Sequence, residues 1–473
     1  MYGKPLILRH RFLARTALYL VPLLILGVAG GVIYLNRELD LQQEWREVDY
    51  TQYESVRLFQ EYLRIDTSYT TGSEVPGAEF LARELAKAGI DVHLERLGDR
   101  HANLWAILEG EDPRALVLHN HIDVDPIRKP DLWLHPPFGG VIAPPFIFGR
   151  GAFDMKSLAI AQLLAIRALK QSGQPLRRTV IFLATSDEER DSWLGTRWVI
   201  REHPELVERF DVVLTEGGAA EAISLDKVRY WGTEFHQKRF VDVWVCGAER
   251  AALEALREDL MSPEYPKGRR QLSPATQRFF KIYAETRDNP DFRRFLRRPE
   301  VFLERPEYQK LSRKQQLMMR NALVPFPIEE DPEGGYRMRV ILHLLPWVEL
   351  EQGWQELFPQ GLSGFSFTVD VPHPPIEASP LDHPVYQGIH EYMGEVHPDI
   401  PHGPLFLPAV ATDARFFRAA GIAAYGFSPF LIVSSDSAKI GGVNERIAAP
   451  PFVDGVELYR GLIRRLALEP GAP

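Results

Sequence analysis

His121 and Asp123 stand one residue apart, Asp154 closes the stretch Gly149-Arg150-Gly151-Ala152-Phe153-Asp154, and Glu188 and Glu189 are adjacent. One imidazole and four carboxylates of this kind can do metal-assisted hydrolysis. The imidazole and some of the carboxylates hold a divalent cation that activates water, and a carboxylate left free takes the water's proton and passes it to a leaving amine. His121 offers the neutral imidazole. Asp123, two residues on, is expected to orient its ring. Asp154 has two oxygens and can bridge two cations, whereas Glu188 and Glu189 face different ways, so that one binds metal and the other serves as base. The only cysteine is Cys246, which excludes a Cys-rich zinc site. Histidine with carboxylates suits catalytic Zn²⁺, with Mn²⁺ or Co²⁺ as substitutes. A lone His-x-Asp is most often a surface pair and a lone Glu-Glu a solvated face; the specificity lies in the combination and its order.

These residues need rigid elements behind them. Apolar residues recur at helical spacing from Tyr50 to Ile65 and again from Ala78 to Ala88, and an apolar helical run, Ala159 to Leu169, follows Asp154. Short apolar stretches read as strands: Asp91 to Arg96, Asn103 to Glu109, Ala115 to Leu118, Val180 to Thr185 and Asp211 to Leu214. The last three run into His121, into Glu188-Glu189, and into Thr215-Glu216-Gly217-Gly218. Strands alternating with helices imply an α/β sheet, and such sheets place their sites at the carboxyl ends of the strands.

From Phe240 the pattern changes. Phe240 to Val245 alternates as a half-buried strand, and a polar helical tract from Arg250 to Arg320 follows, with 17 Lys/Arg against 10 Asp/Glu. A strand at Tyr336 to Leu344, a helix from near Val348 and a strand at Gly364 to Val371 complete a smaller α+β unit. From Pro384 helical spacing resumes, ending in a strand, Ala423 to Phe427, and a terminal helix, Val453 to Leu466. The domain boundaries expected are therefore 1–37 for an N-terminal tail and anchor, 48–237 and 376–473 for a catalytic domain in two parts, and 238–375 for an inserted lid. The basic tract could steer an anionic substrate or touch an anionic lipid surface, but its ten acidic residues favour a solvated helical face.

With 473 residues, 45% of them hydrophobic, the chain can bury two cores, and a net charge of −9 argues against a nucleic-acid partner. Ala17 to Leu35 is a run of 19 uncharged residues behind Lys4, Arg9, Arg11 and Arg15. It is close to the ~20 residues that cross a bilayer as a helix. Basic residues before it put the N-terminus in the cytoplasm and the body on the extracytoplasmic side of the membrane, as a single-pass protein. A cleaved signal peptide is the rival reading, and the length of the run favours an uncleaved signal-anchor.

His121-Ile-Asp123-Val-Asp-Pro126, Trp133-Leu-His-Pro-Pro-Phe138, Gly149-Arg-Gly-Ala-Phe-Asp154-Met-Lys156, Ser-Asp-Glu188-Glu189, Glu216-Gly-Gly, Thr412-Asp-Ala-Arg415 and Asn444-Glu445 together resemble one zinc metallopeptidase family. It is the group of aminoacylase, carboxypeptidase S, acetylornithine deacetylase and succinyl-diaminopimelate desuccinylase, and the carboxypeptidase S and N-acyl-amino-acid hydrolase branch is the most similar. The resemblance implies an α/β catalytic domain with an inserted α+β lid, one or two zinc ions, and hydrolysis of the amide bond of a small peptide or N-acyl amino acid. It also implies a homodimer formed through the lid. His121, Asp154 and Glu189 would be metal ligands, Glu188 the general base, and Asp123 the residue that orients His121.

Three positions depart from that pattern. Thr215 stands where the branch has an Asp, so Glu216 is the expected ligand there. Gly441 stands where it has a histidine, three residues before Asn444-Glu445. The lid lacks its usual histidine, since Ala-Glu-Arg-Ala follows Gly247. His343, His373, His383, His390, His397 and His402 are the later histidines from which a substitute could come. These departures motivate a second expectation, a catalytically impaired relative that binds or assembles instead.

Overall fold

The computed structural model describes residues 44–262, 265, 268–370 and 374–468. The membrane anchor expected at residues 17–35 lies outside them. Among the described residues no helix is long and apolar enough to cross a membrane.

Strands β1 (Val92–Leu97), β2 (His101–Leu108) and β3 (Asp112–His121) precede a short pair, β4 (Val141–Ala143) and β5 (Phe146–Phe148). Next come β6 (Arg178–Thr185), β7 (Phe210–Thr215), β8 (Ala219–Ser224) and β9 (Lys227–Gln237). Strands β10 (Arg239–Gly247), β11 (Ala322–Glu330), β12 (Tyr336–Leu344) and β13 (Ser366–Val369) form a separate sheet. The chain then returns through β14 (His402–Leu407), β15 (Ala423–Gly426), β16 (Leu431–Val433) and β17 (Arg446–Ala448).

The central sheet runs β1-β2-β6-β3-β7-β15-β9-β8-β16, with β14 also paired to β9. Its middle, β6, β3, β7 and β15, is parallel. Parallel strands need cover on both faces, and the sequence supplies it: Leu116 and Leu118 of β3 point into one core while Ala115 and Val117 point into another. The first core holds the helix Lys156–Ser172, buried along most of its length, against the terminal helix Ala449–Leu468. The second is closed by Val199, Leu206 and Phe417. Because β6, β3 and β7 are parallel neighbours, the turns after Thr185, His121 and Thr215 emerge side by side at one edge.

The second sheet, β11-β12-β10-β13, is antiparallel and has its own core around Val243, Val245, Val340 and Leu342. The polar tract within this insertion is amphipathic and only partly belongs to the lid. Helix Pro274–Tyr283 buries Phe279, Phe280 and Tyr283 in the main core, against Tyr230 of β9. On its outer side Arg297 donates two hydrogen bonds to the Glu285 carboxylate, each at 2.8 Å, and Arg270 donates to the carbonyl of Leu303 at 2.6 Å. The tract's positive charge is thus partly spent on its own neighbours.

Lys156, at the start of the helix behind Asp154, is fully buried and donates to the carbonyl oxygens of Tyr62 (3.1 Å) and Ile65 (2.7 Å). Burial depresses its pKa to about 7. Lys156→Ala leaves both carbonyls without that partner in a dry place, and the expected loss is about 3 kcal/mol. In urea unfolding the midpoint should fall while the slope stays unchanged; an unchanged midpoint refutes this role.

Candidate metal centre

Strand β3 ends at His121, whose side chain is inaccessible to solvent. Its Nδ1 lies 2.9 Å from the carbonyl oxygen of Asp123, which can only accept, so Nδ1 is the donor. Nε2 is thereby aimed at the Oδ1 of Asp154, 3.1 Å away, and at the Oε1 of Glu216, 3.9 Å away. These three residues offer ligand atoms that all lie within 4.8 Å of one another, the one such group among the described residues. The set fits a divalent cation: an imidazole nitrogen and two carboxylates, brought together where water is scarce, repel one another unless positive charge is supplied. Burial disfavours a charged imidazole most strongly, but the bonds to Asp123 and Asp154, with the charges of Glu216 and Glu188, raise the pKa of His121 well above the usual histidine value.

Asp123 is fully buried, and its carboxylate reaches across to the next strand end. Oδ1 accepts from the backbone N–H of Glu188 and Oδ2 from that of Glu189, each at 3.0 Å. The expectation that Asp123 orients His121 therefore divides in two. The backbone carbonyl sets the ring, and the carboxylate, 3.5 Å from Nδ1, chiefly holds the turn carrying both glutamates. Asp187 enters that turn at φ 63°, a conformation that Asp tolerates better than most residues, and its Oδ2 accepts from Leu194 N–H at 3.2 Å.

The carboxylates divide by environment. Burial pushes Glu188 up to about 8. Glu189 and Glu216 are raised well above the usual range, first by burial and then by the charge of Asp154. Asp154 moves the other way. Burial is again the largest influence and opposes ionisation, but the hydrogen bond and charge of His121 hold the group below its ordinary value.

Two residues from distant parts of the chain brace this arrangement. Glu445, fully buried, accepts four hydrogen bonds: from Phe153 N–H (2.9 Å) and Asp154 N–H (3.2 Å) at Oε1, and from Gly151 N–H (3.1 Å) and the Arg150 guanidinium (2.7 Å) at Oε2. Its carboxylate thus fixes the backbone on which Asp154 sits. Asp413 accepts from Ser192 and from Thr196 (2.7 Å), behind the glutamate turn. Sequence reading found both residues as motif letters without a role; the lone signal was an acidic residue beside an Asn or a Thr.

Thr215 does not face the site. Its hydroxyl bonds the Nδ1 of His119 at 2.9 Å in a buried network, and burial lowers the pKa of that histidine to about 3. Glu216, next along the chain, is what reaches His121. Glu189 is not in the His121 group. None of His343, His383, His390, His397 and His402 joins it either: His390 and His402 pair with each other at 2.8 Å, His397 stacks on Trp231, and His383 caps a helix. His373 lies outside the described residues.

A cavity of about 760 Å³ opens between the central sheet and the lid, with Glu189 on its wall. Arg415, Lys238, Arg339 and His343 line it alongside Phe326 and Val410. Arg415 is held by Asp191 at 3.1 Å and by the carbonyl of Thr412 at 3.2 Å.

Glu445→Gln removes the ion pair with Arg150 and loosens the Asp154 backbone, so Zn²⁺ affinity should fall about 10- to 100-fold in a chelator competition titration. Unaltered affinity would show that Glu445 does not support the centre. Because His121 and Glu216 both hold protons more firmly than free side chains do, a cation must displace them. Zn²⁺ binding should therefore release protons near neutral pH, read by calorimetry in buffers of different ionisation enthalpy, and affinity should rise with pH. A pH-independent affinity would contradict the ligand set.

Residues 117–465 match the peptidase family M20/M25/M40. The rat (Rattus norvegicus) protein Aminoacylase-1A is 25% identical over 441 residues, covering 89% of this chain and 98% of its own. Among solved structures, the M20 family metallo-carboxypeptidase Sso-CP2 of Sulfolobus solfataricus superposes with a TM-score of 0.63 at 17% identity, covering 87% of this chain and 99% of its own. A dinuclear metal binding peptidase of Bacillus subtilis does so with a TM-score of 0.52 at 10% identity, covering 88% and 98%. With the matched segment running through both sheets and every residue of the centre, the chain belongs to peptidase family M20/M25/M40, a family of metal-dependent hydrolases.

Proposed function

We propose that this protein hydrolyses the amide bond of a small peptide or N-acyl amino acid, with a cation held by His121, Asp154 and Glu216 and with Glu188 as general base. The observation that carries this reading is a three-residue ligand group beside a carboxylate that burial pushes to about 8. A carboxylate with that pKa can accept a proton from water near neutral pH and later give it up. The cation, when bound, supplies the Lewis acidity that makes water a nucleophile and polarises the scissile carbonyl. His121 presents Nε2 because its Nδ1 is committed to the Asp123 carbonyl. Asp123 holds Glu188 in register with His121 through the backbone. The wall of Arg415, Lys238 and Arg339 favours substrates with a free carboxylate, and Phe326 and Val410 offer apolar surface to a side chain or acyl group.

Zn²⁺ is the ion we assign to the His121 group, on the chemistry of one imidazole with carboxylates and no thiolate. The uncharged run at residues 17–35 with its basic flank supports a single-pass anchor that leaves the body on the extracytoplasmic side. Accessibility of the body to protease in intact and opened cells tests that orientation.

The central test is Glu188→Gln in the purified, Zn²⁺-loaded chain, assayed against N-acetyl amino acids and dipeptides. The expected outcome is a fall in kcat of about 10²- to 10⁴-fold with metal content retained. If the unaltered chain, loaded with metal, hydrolyses none of these substrates, the catalytically impaired alternative is correct.

A further inference from the structure

The turn that carries Glu188 and Glu189 continues through Asp191 and Ser192, whose φ values of 71° and 52° suit glycine and strain other residues. Ser192 uses its side chain there to donate to Asp413. The carboxylate of Asp191 leaves the turn and lies between two guanidinium groups. Its Oδ1 accepts from Arg415 at 3.1 Å and its Oδ2 from Arg197 at 2.6 Å. Arg197 is itself held in place, with its Cζ 3.2 Å from the centre of the Trp193 ring. One oxygen of Asp191 is therefore anchored, and the other fixes Arg415.

Arg415 lines the large cavity together with Asp191 and Glu189. Its two terminal nitrogens donate to different acceptors, Thr412 O and Asp191, and its Cζ stands 4.4 Å from the centre of the Phe416 ring. The remaining donors of its guanidinium have no hydrogen-bond partner among the described residues. The other cations of the wall are more fully used. Arg339 closes its Nε and Nη2 fork on the Asp242 carboxylate, at 2.8 Å each, and such a fork does not close on a second carboxylate at the same time. Lys238 gives its ammonium to the carbonyls of Arg320 (2.6 Å) and His343 (3.2 Å).

The backbone ties Arg415 to the glutamates as well. Asp191 N–H donates to the carbonyl of Glu188 at 3.1 Å, and Asp413, two residues before Arg415, accepts from Ser192 and Thr196. The span between Arg415 and Glu188 is thus set by one turn and its partners.

We propose that Asp191 is a positioning residue, which holds Arg415 at a fixed span from Glu188 so that Arg415 closes on the free carboxylate of a substrate. This rests on the hydrolase reading above and deepens it. The preference for a carboxylate belongs to one arginine of the wall, and a residue of the glutamate turn sets that arginine's place. A turn with no other task would be better served at φ 71° by glycine.

The test separates those two tasks. Binding of N-acetylleucine and of N-acetylleucinamide is measured by calorimetry in the Zn²⁺-loaded full chain carrying Glu188→Gln, whose slow turnover leaves the ligands intact. That chain should prefer the carboxylate at least about tenfold. Adding Asp191→Gly, which eases the backbone and removes the carboxylate, should weaken N-acetylleucine about tenfold and leave the amide within about twofold. With Glu188 intact, Asp191→Gly should raise KM for N-acetylleucine by a similar factor and change kcat less than about threefold. Asp191→Asn, which tolerates the same φ and keeps one acceptor, should fall between, so the test stays open if the glycine variant fails to fold. Asp191→Gly that weakens both ligands equally, or neither, overturns the proposal. So does a Glu188→Gln chain with no preference for the carboxylate. Binding needs no turnover, so these results stand apart from the hydrolase reading, which fails instead if the chain with Glu188 intact cleaves no substrate.

Discussion

Asp154, Glu188, Glu189 and Glu216 crowd around a single buried imidazole, and this concentration of like charge is the constraint to which the rest of the structure answers. A carboxylate out of water costs far more than one in it unless a donor or a cation compensates. The protein compensates unevenly. His121 offsets the charge of Asp154, while burial raises the pKa values of Glu188, Glu189 and Glu216. A dication completes such a site, because its charge compensates the carboxylates once the protons that compete for them have left.

Keeping such groups together requires a scaffold that does not relax. Three parallel strands put His121, Glu188 and Glu216 on adjacent turns, and backbone hydrogen bonds to buried carboxylates lock those turns. Asp123 ties the glutamate turn to the histidine strand, and Glu445 ties the Asp154 loop to the C-terminal part of the chain. Gly426 contributes by omission: a Cβ there would lie 2.1 Å from the carbonyl of Glu216, so β15 could not run so close to the Glu216 turn. The second sheet and the central sheet enclose a cavity that Glu189 borders, and the helix Pro274–Tyr283 fastens the insertion to the main core.

The fold was legible where burial imposes a period. Strand β12 lies at the bounds its alternation implies, and β3, β6 and β7 lie within three residues of theirs, because both faces of the sheet are buried and the apolar run is uninterrupted. The short strands β4, β5 and β17 were not legible, since three residues carry no period. Nor was the division of the basic tract. Its charge count is dominated by the outer face, and the apolar inner face, Phe279, Phe280 and Tyr283, has meaning only beside Tyr230.

For the centre, the sequence by itself determined the chemistry. The residue types and their order, His121 through Glu216, restrict it to a cation held by nitrogen and oxygen with a carboxylate to spare, because those side chains have no other common use at successive strand ends. Only the tertiary structure decided which of them meet. Whether Thr215 or Glu216 turns toward His121 depends on the pleat of β7, and the anchoring of Asp154 by Glu445, 291 residues away, depends on the return of the chain to the sheet. The contact between Asp191 and Arg415 is of the same kind. Two residues far apart in the chain share one wall of the cavity, and nearness in space is a property that no linear spacing records.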